Sequence, residues 1–265
     1  MTTTGGSLTI VGTGIRLGAH LTQEALAHIR RAERFFFLSG DPATARWLQR
    51  LNANAESLAD CYVEGRPRAA GYAEMAARAL AAVTSGQRVV VAFYGHPGVG
   101  ADPTHAMLAQ ARTLGYSARM LPGISAEACL VADLGVDPLR PGWQSYEAWM
   151  FLLTRPRIDV RMSLVLWQIG LIYERGVSVV GRQHPRGMKD LARALTARYH
   201  SRHSVVLYEA SPFAIADSRI EHCSVRDLPT ALVRTSTTLY VPPLNEQGSL
   251  TTRAGLTGRS SRSRA

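Results

Sequence analysis

Residues 88–99 read RVVVAFYGHPGV, from Arg88 to Val99. Val89 to Phe93 is a short apolar run rich in β-branched side chains, as expected of a strand buried on both faces of a parallel sheet. It stops at Tyr94-Gly95-His96-Pro97-Gly98, where two glycines and a proline force the chain to turn. Ligands of open α/β sheets bind beyond the carboxyl ends of the strands. The turn thus offers a phenol, an imidazole and bare backbone where a ligand would sit, although a plain surface turn would look the same in isolation.

The same design occurs upstream. Leu8–Val11 is a short apolar strand, followed at once by Gly12-Thr13-Gly14 and then Gly18. A helix starts at Thr22, with Leu21, Ala25, Leu26 and Ile29 at helical spacing. The spacing is G-x-G-x-x-x-G, whereas the dinucleotide fingerprint needs G-x-G-x-x-G and an acid ending the second strand. That second strand, Arg34–Leu38, ends in Ser39-Gly40, which disfavours a nicotinamide dinucleotide. Asp41-Pro42 caps a helix reaching Leu51. Asn52–Ala70 has a mixed pattern and holds Tyr62, Arg66 and Arg68. From Tyr72 a helix with Met75, Ala79, Leu80 and Val83 runs to Ser85-Gly86. Another begins at Pro103 and ends near Gly115. Ser117–Met120 is a strand leading into Leu121-Pro-Gly-Ile-Ser-Ala-Glu127, which opens a further helix.

Asp133–Trp143 is rich in Gly, Pro and Asp and reads as an interdomain linker. Beyond it, strand-like runs lie near Tyr146–Leu153, Leu164–Ile169, Val177–Val180, Val205–Ala210 and Thr237–Val241, with one helix through Met188, Leu191, Leu195 and Tyr199. The expected class is α/β with two domains: a parallel-sheet N-terminal domain at 7–132 and a mixed-sheet C-terminal domain at 144–245. A short tail at 1–6 precedes them, 133–143 joins them, and 246–265 reads as a disordered basic tail.

The chain has 265 residues, 46% hydrophobic and 19% charged, which describes an ordinary soluble globular protein. Its apolar stretches are too short to span a bilayer, and MTTTGGSLTIVG is no signal peptide, so no membrane partner and a cytoplasmic location are expected. Cys61, Cys129 and Cys223 are odd in number and scattered, matching neither a disulfide framework nor a zinc pattern. His200 and His203 with Arg202 read as a polar helix end, and no metal is expected. The net charge is +10, but Lys189 is the only lysine, a skew that base composition explains as well as selection does. Charge alone specifies no anionic partner, and nucleic acid is not expected.

Taken together, the motifs are specific. Tyr62-x5-Arg68-x3-Tyr72, Tyr94-Gly-His-Pro-Gly-Val, Leu121-Pro-Gly-Ile-Ser-Ala-Glu, Asp133-Leu-Gly, Gln144-Ser-Tyr-Glu-Ala and Leu166-Trp-Gln-x-Gly occur in that order. Over roughly residues 7–245 the chain resembles the tetrapyrrole-methylase superfamily, the class III methyltransferases. Within it, the chain is most similar to the borosin-type peptide backbone N-methyltransferases. The resemblance implies a fold of two α/β domains with S-adenosylmethionine in the cleft between them and S-adenosylhomocysteine as product. It places Tyr94, His96, Val99, Ser125, Ala126 and Gln168 around the cofactor, with Ala210, Thr237 and Thr238 matching more loosely and Gly12 and Gly14 supplying the first glycine turn. It also makes Tyr62, Arg68, Tyr72 and Tyr94 the catalytic set.

The chemistry such a set must do is demanding. A backbone amide nitrogen is a poor nucleophile because its lone pair is delocalised into the carbonyl. Its methylation needs a strong base and a donor to the amide oxygen in a dry site. A tyrosine beside a guanidinium can serve as base. The expected roles are Tyr72 as base, Arg68 as the group that tunes and orients it, and Tyr62 and Tyr94 as donors to the amide oxygen. Related enzymes often carry an aromatic residue where this chain has Ala59. The expected partners are a second copy, forming a homodimer, and a separate precursor peptide, because residues after the fold hold no Val/Ile-rich run. A precorrin or uroporphyrinogen C-methyltransferase and an RNA methyltransferase of the same superfamily are the alternatives.

Overall fold

The protein is described by a computed structural model covering residues 5–174, 176–177, 184 and 186–244. The expected basic tail therefore lies outside the described residues, as do residues 178–180 of the expected strand at Val177–Val180. The chain separates into two compact units. Among the described residues, one holds 5–135 with 173–174, 176–177 and Glu209–Arg219; the other holds Val136–Ile172, 184, 186–208 and 220–244.

The first unit contains a five-stranded, all-parallel sheet. Its strands are β1 (Ser7–Gly12), β2 (Arg34–Leu38), β3 (Ala55–Ser57), β4 (Arg88–Phe93) and β5 (Ser117–Met120), in the spatial order β3-β2-β4-β1-β5. Its helices are α1 (Gln23–Arg31), α2 (Pro42–Leu51), α3 (Arg68–Thr84), α4 (Asp102–Thr113) and α5 (Ala126–Leu134). The period of two explains why β4 is apolar throughout. Val89, Val91 and Phe93 join a core with Met75, Ala79 and Val83 of α3 and Met107 of α4. Val90 and Ala92 face the opposite way, into a core with Ala25 and Ile29 of α1 and Leu48 of α2. Each such buried aliphatic or aromatic side chain contributes about 1.5–3 kcal/mol of transfer free energy.

The second unit holds a mixed sheet of β6 (Trp143–Glu147), β7 (Ser163–Trp167), β8 (Ser204–Glu209), β9 (Arg219–Ser224) and β10 (Thr238–Val241), in the order β6-β7-β10-β8-β9. β6 and β7 run parallel, while β10 is antiparallel to both β7 and β8. Helices α6 (Ala148–Thr154) and α7 (Gly187–Thr196) complete it.

Several expected boundaries change. The run at Tyr146–Leu153 is not one strand: β6 ends at Glu147, whose carboxylate accepts from the Met150 backbone N–H at 2.7 Å and starts α6. The linker begins two residues late, because Asp133 and Leu134 form the last turn of α5 before left-handed Gly135 stops it. β7 ends at Trp167 because Gln168 turns left-handed, with φ of 57°. Helix α3 begins at Arg68, one turn before Tyr72. That change matters most, since it sets Arg68 and Tyr72 four residues apart on one helical face. No helix among the described residues is long and apolar enough to cross a membrane.

Candidate functional site

The turns after β1, β4 and β5 are bound together at their glycines. Gly95 donates its N–H to the Gly14 carbonyl at 2.8 Å, and Gly14 returns the bond to Gly95 at 3.2 Å. A Cβ placed on Gly123 would lie 2.6 Å from the Gly95 oxygen and 2.9 Å from the Gly12 Cα; one on Gly12 would collide with the same Gly95 oxygen. Only glycine permits three backbones to approach this closely. Gly12 and Gly14 thus hold the turn together by backbone contacts.

The side chains carried by these turns are exposed or half-buried. Tyr94 and Val99 keep 52% and 54% of their surface open, high values for an aromatic and a branched aliphatic residue just beyond a buried strand. His96 is half-buried, and its Nδ1 accepts from the Gly98 N–H at 2.9 Å. The imidazole proton therefore sits on Nε2, ready to donate. Ser125 caps α5 by accepting from the Ala128 N–H at 3.1 Å, with Ala126 as the first helical residue.

Tyr62, Arg68, Tyr72 and Tyr94 lie together in this same unit. Tyr62 follows a short 3-10 turn, Ala59–Cys61, that packs on α3 at Gly71, where a Cβ would stand 2.6 Å from the Cys61 oxygen. This contact lets the Tyr62 and Tyr72 rings meet edge to face, with centroids 6.2 Å apart. Burial pushes the Tyr62 phenol well above the ordinary tyrosine value. The negative charge that Tyr72 and Tyr94 can carry and a hydrogen bond with Tyr72 add to this rise, while Arg68 opposes it. Tyr94 is raised too, by desolvation and then by Tyr72, despite its open outer surface. Arg68 donates from Nε to the Gly176 oxygen at 3.2 Å. Gly176 and Val177 pair with residues 65–67 just ahead of α3, which fixes the guanidinium where its charge reaches both Tyr62 and Tyr94.

A charge network that the sequence reading missed holds the 3-10 turn to α3. Arg78 pairs with Asp60 at 2.7 Å, with Glu74 at 2.6 Å and with Glu56 of β3 at 3.8 Å. Glu74 also accepts from Arg66 at 2.6 Å, and Arg34 continues the chain to Glu56. Its one legible signal was the i, i+4 pair Glu74/Arg78.

The remaining candidates are divided. Ala210 lies in the first unit, in the wall of a depression away from the tyrosines. Gln168, Thr237 and Thr238 belong to the second unit. There the Ile169 N–H donates to the Thr237 oxygen at 3.1 Å, so Gln168 and Thr237 are neighbours. Among the described residues, the half-buried Gln168 carboxamide makes no hydrogen bond, unlike a glutamine satisfied within a core. The Thr237 hydroxyl accepts from the Arg234 N–H at 2.7 Å, and Thr238 is buried within β10. His203 stacks on Tyr199 and contacts the Pro242 oxygen through Nε2 at 2.8 Å. Among the described residues no group of three His, Cys, Asp or Glu side chains is placed to hold a metal ion.

The chain is 40% identical over 242 residues to a methyltransferase/ribosomally synthesised cyclic peptide gymnopeptides precursor of Gymnopus fusipes, covering 90% of this chain and 57% of that protein. It is 38% identical over 245 residues to the methyltransferase/omphalotin A precursor of Omphalotus olearius, covering 91% and 58%. The chain thus spans little more than half the length of these relatives. Among solved structures it is similar to the uroporphyrin-III-C-methyltransferase of Thermus thermophilus, with TM-score 0.65 and 20% identity over 89% of this chain and 92% of the other. It is also similar to a cobalt precorrin-4 methyltransferase of cobalamin biosynthesis, with TM-score 0.63 and 15% identity over 89% and 94%. At those identities the likeness speaks for the fold. A family model for the tetrapyrrole (corrin/porphyrin) methylases matches residues 7–229, which takes in all three glycine turns and the tyrosine–arginine cluster, so the chain belongs to that family.

Proposed function

We propose that the chain is an S-adenosylmethionine-dependent methyltransferase that N-methylates backbone amides of a separate, ribosomally made precursor peptide, as borosin-type enzymes do. The observation that carries this reading is the Tyr62–Tyr72 pair beside Arg68. Burial raises Tyr62 and Tyr94, so both phenols keep their protons and can donate to an amide oxygen. Tyr72 meets the Tyr62 ring edge to face, with centroids 6.2 Å apart, on the same helical face as Arg68. Tyr72 is thereby suited to take the amide proton, while Arg68 supplies the positive charge that a phenolate needs. As that proton leaves, negative charge builds on the amide oxygen, where the two donors stabilise it.

The residues also suit the cofactor. Within the first unit, the His96 Nε2–H offers a polar contact, Val99 an apolar one, and the glycine turns bare backbone; the second unit, taken by itself, offers the Gln168 carboxamide. When bound, S-adenosylmethionine supplies an electrophilic methyl on a sulfonium centre. A homodimer is the proposed assembly, supported by Met150 and Leu153 of α6, which are 50% and 68% exposed.

Intact-mass analysis tests the reaction. The purified chain, labelled cofactor and a candidate precursor peptide should give peptide masses rising in steps of one CH2, and fragmentation should place each step on a backbone nitrogen. Methylation of the chain itself would overturn the separate substrate. The family match favours one second reading, C-methylation of a tetrapyrrole, and transfer to uroporphyrinogen but not to peptide would establish it.

A further inference from the structure

Glu74 lies in the second turn of α3, two residues after Tyr72. Residues two apart on a helix do not face each other, so its carboxylate and the Tyr72 phenol leave α3 on different sides. Gly71 and Arg78, three residues before and four after, share the side of Glu74. The buried side of the helix is made by Met75, Ala76, Ala79, Leu80 and Val83, which pack without help from the carboxylate.

Both carboxylate oxygens are used. Oε2 accepts from Arg66 Nη1 at 2.6 Å, and Oε1 accepts from Arg78 Nη2 at 2.6 Å. Arg78 in turn donates from Nη1 to Asp60 at 2.9 Å. Asp60 and Arg66 bracket the segment that carries Tyr62. One side chain of α3 thus ties both ends of that segment, the far end directly and the near end through a guanidinium. Its charge also reaches Cys61, next to Tyr62: burial raises that thiol to about 11, Arg78 opposes the rise and Glu74 adds to it.

The segment has little else to hold it against α3. Tyr62 is half-buried, and Val63, Glu64 and Gly65 after it are exposed. Backbone with so little buried apolar surface opens at low cost. The contact of the Cys61 oxygen at Gly71 limits how closely the turn can approach, but a steric limit supplies little pull. The backbone bonds of residues 65–67 to Gly176 and Val177 anchor the chain just ahead of Arg68, beyond the tyrosine. An isolated exposed ion pair does little. Two short, charge-assisted bonds on one carboxylate fix a geometry.

We infer that Glu74 is a positioning residue: by tying Arg66 directly and Asp60 through Arg78, it holds the Tyr62 phenol against Tyr72. The inference rests on the proposed reaction, in which Tyr62 donates to the amide oxygen, and Glu74 acts only through that phenol. Substitution should move Tyr62 while α3 stays packed.

The test reads position and rate separately. Fluorine NMR of the full chain with 3-fluorotyrosine in place of Tyr62 reports the ring. At neutral pH and low salt the parent should give one narrow resonance. Glu74→Gln keeps the shape and removes the charge, and it should shift or broaden that resonance. Arg66→Gln should do the same, and Glu74→Asp less. Salt at about 1 M screens partly exposed pairs, so it should move the parent resonance toward that of Glu74→Gln and leave the variant where it is. With a candidate precursor peptide, Glu74→Gln in the unlabelled chain should lower kcat about 10- to 100-fold, as misplacement of a reacting group does, with the Kd for S-adenosylhomocysteine unchanged. The inference is overturned if Glu74→Gln leaves the resonance in place, if Arg66→Gln fails to reproduce the change, or if the rate falls no further than the unfolded fraction explains. If Glu74→Gln does not fold, Arg66→Gln and Glu74→Asp carry the same readouts. If the parent methylates no peptide, the proposed reaction falls, and the resonance still decides whether Glu74 holds Tyr62.

Discussion

The two sheets present functional groups in different ways. In the parallel sheet of the first unit, β1, β4 and β5 all end on one edge, and glycine-bound turns there carry exposed Tyr94 and Val99 and half-buried His96. In the mixed sheet of the second unit, β7 and β10 run antiparallel, so the end of one meets the start of the other. The Ile169 N–H bonds the Thr237 oxygen there, and the adjoining Gln168 is presented by a left-handed backbone rather than by a loop. A parallel edge gathers many turns and is suited to assembling a reaction centre. An antiparallel junction gathers two strands and is suited to one or two fixed contacts.

The largest expected effect is on the parallel side. Tyr72→Phe should lower kcat by about 100- to 10,000-fold with cofactor affinity intact, read by single-turnover methylation and calorimetry. A near-normal rate would remove Tyr72 as base and break the contrast between a reacting edge and a holding junction. Next comes Gly71→Ala. The new Cβ would press on the Cys61 oxygen, costing about 1–3 kcal/mol and shifting Tyr62 from Tyr72. Urea denaturation should show the loss, and an activity loss beyond that expected from the unfolded fraction would show the shift.

On the junction side, Gln168→Ala should weaken cofactor binding about tenfold. Gln168→Gly should weaken it equally while raising stability by about 1 kcal/mol, because glycine relieves the left-handed backbone. If the glycine variant bound the cofactor normally, backbone rather than carboxamide would be the contact. The smallest effect is expected in the stability that the charge network supplies. Arg78→Met should lower the thermal midpoint by a few degrees at neutral pH. Arg66 and Arg78 hold the Glu74 pKa below its ordinary 4.5. Its contribution is therefore complete above that value and fades as pH falls through the depressed one. Wild type and variant should converge in acid, and a midpoint difference that persisted there would detach the effect from Glu74.

Much of this contrast was legible in residue order. β4 could be read because burial on both faces leaves no polar position in Val89–Phe93. The start of α3 was placed a turn late because Arg68-Ala69-Ala70-Gly71 shows no apolar period, and that hid the shared face of Arg68 and Tyr72. Helix α6 was read as strand because Ala148–Leu153 is apolar throughout and therefore carries neither period. The edge strand β9 escaped because Arg219–Ser224 is largely exposed and polar. The Arg78–Asp60 pair joins residues 18 positions apart, so no local pattern announces it. The depression beside Ala210 was equally silent, since its walls come from three separated segments.

The glycine junction of Gly12, Gly95 and Gly123 bears on how this protein could be altered by design. Because backbone alone closes the turns, the identity of the side chains they display is largely uncoupled from folding. A saturation library at Val99 should leave most members soluble and spread them widely in cofactor use. The same library at Gly123 should return almost only the parent residue, since any Cβ there meets the Gly95 oxygen. The protein would thus have a rigid chassis with interchangeable fittings.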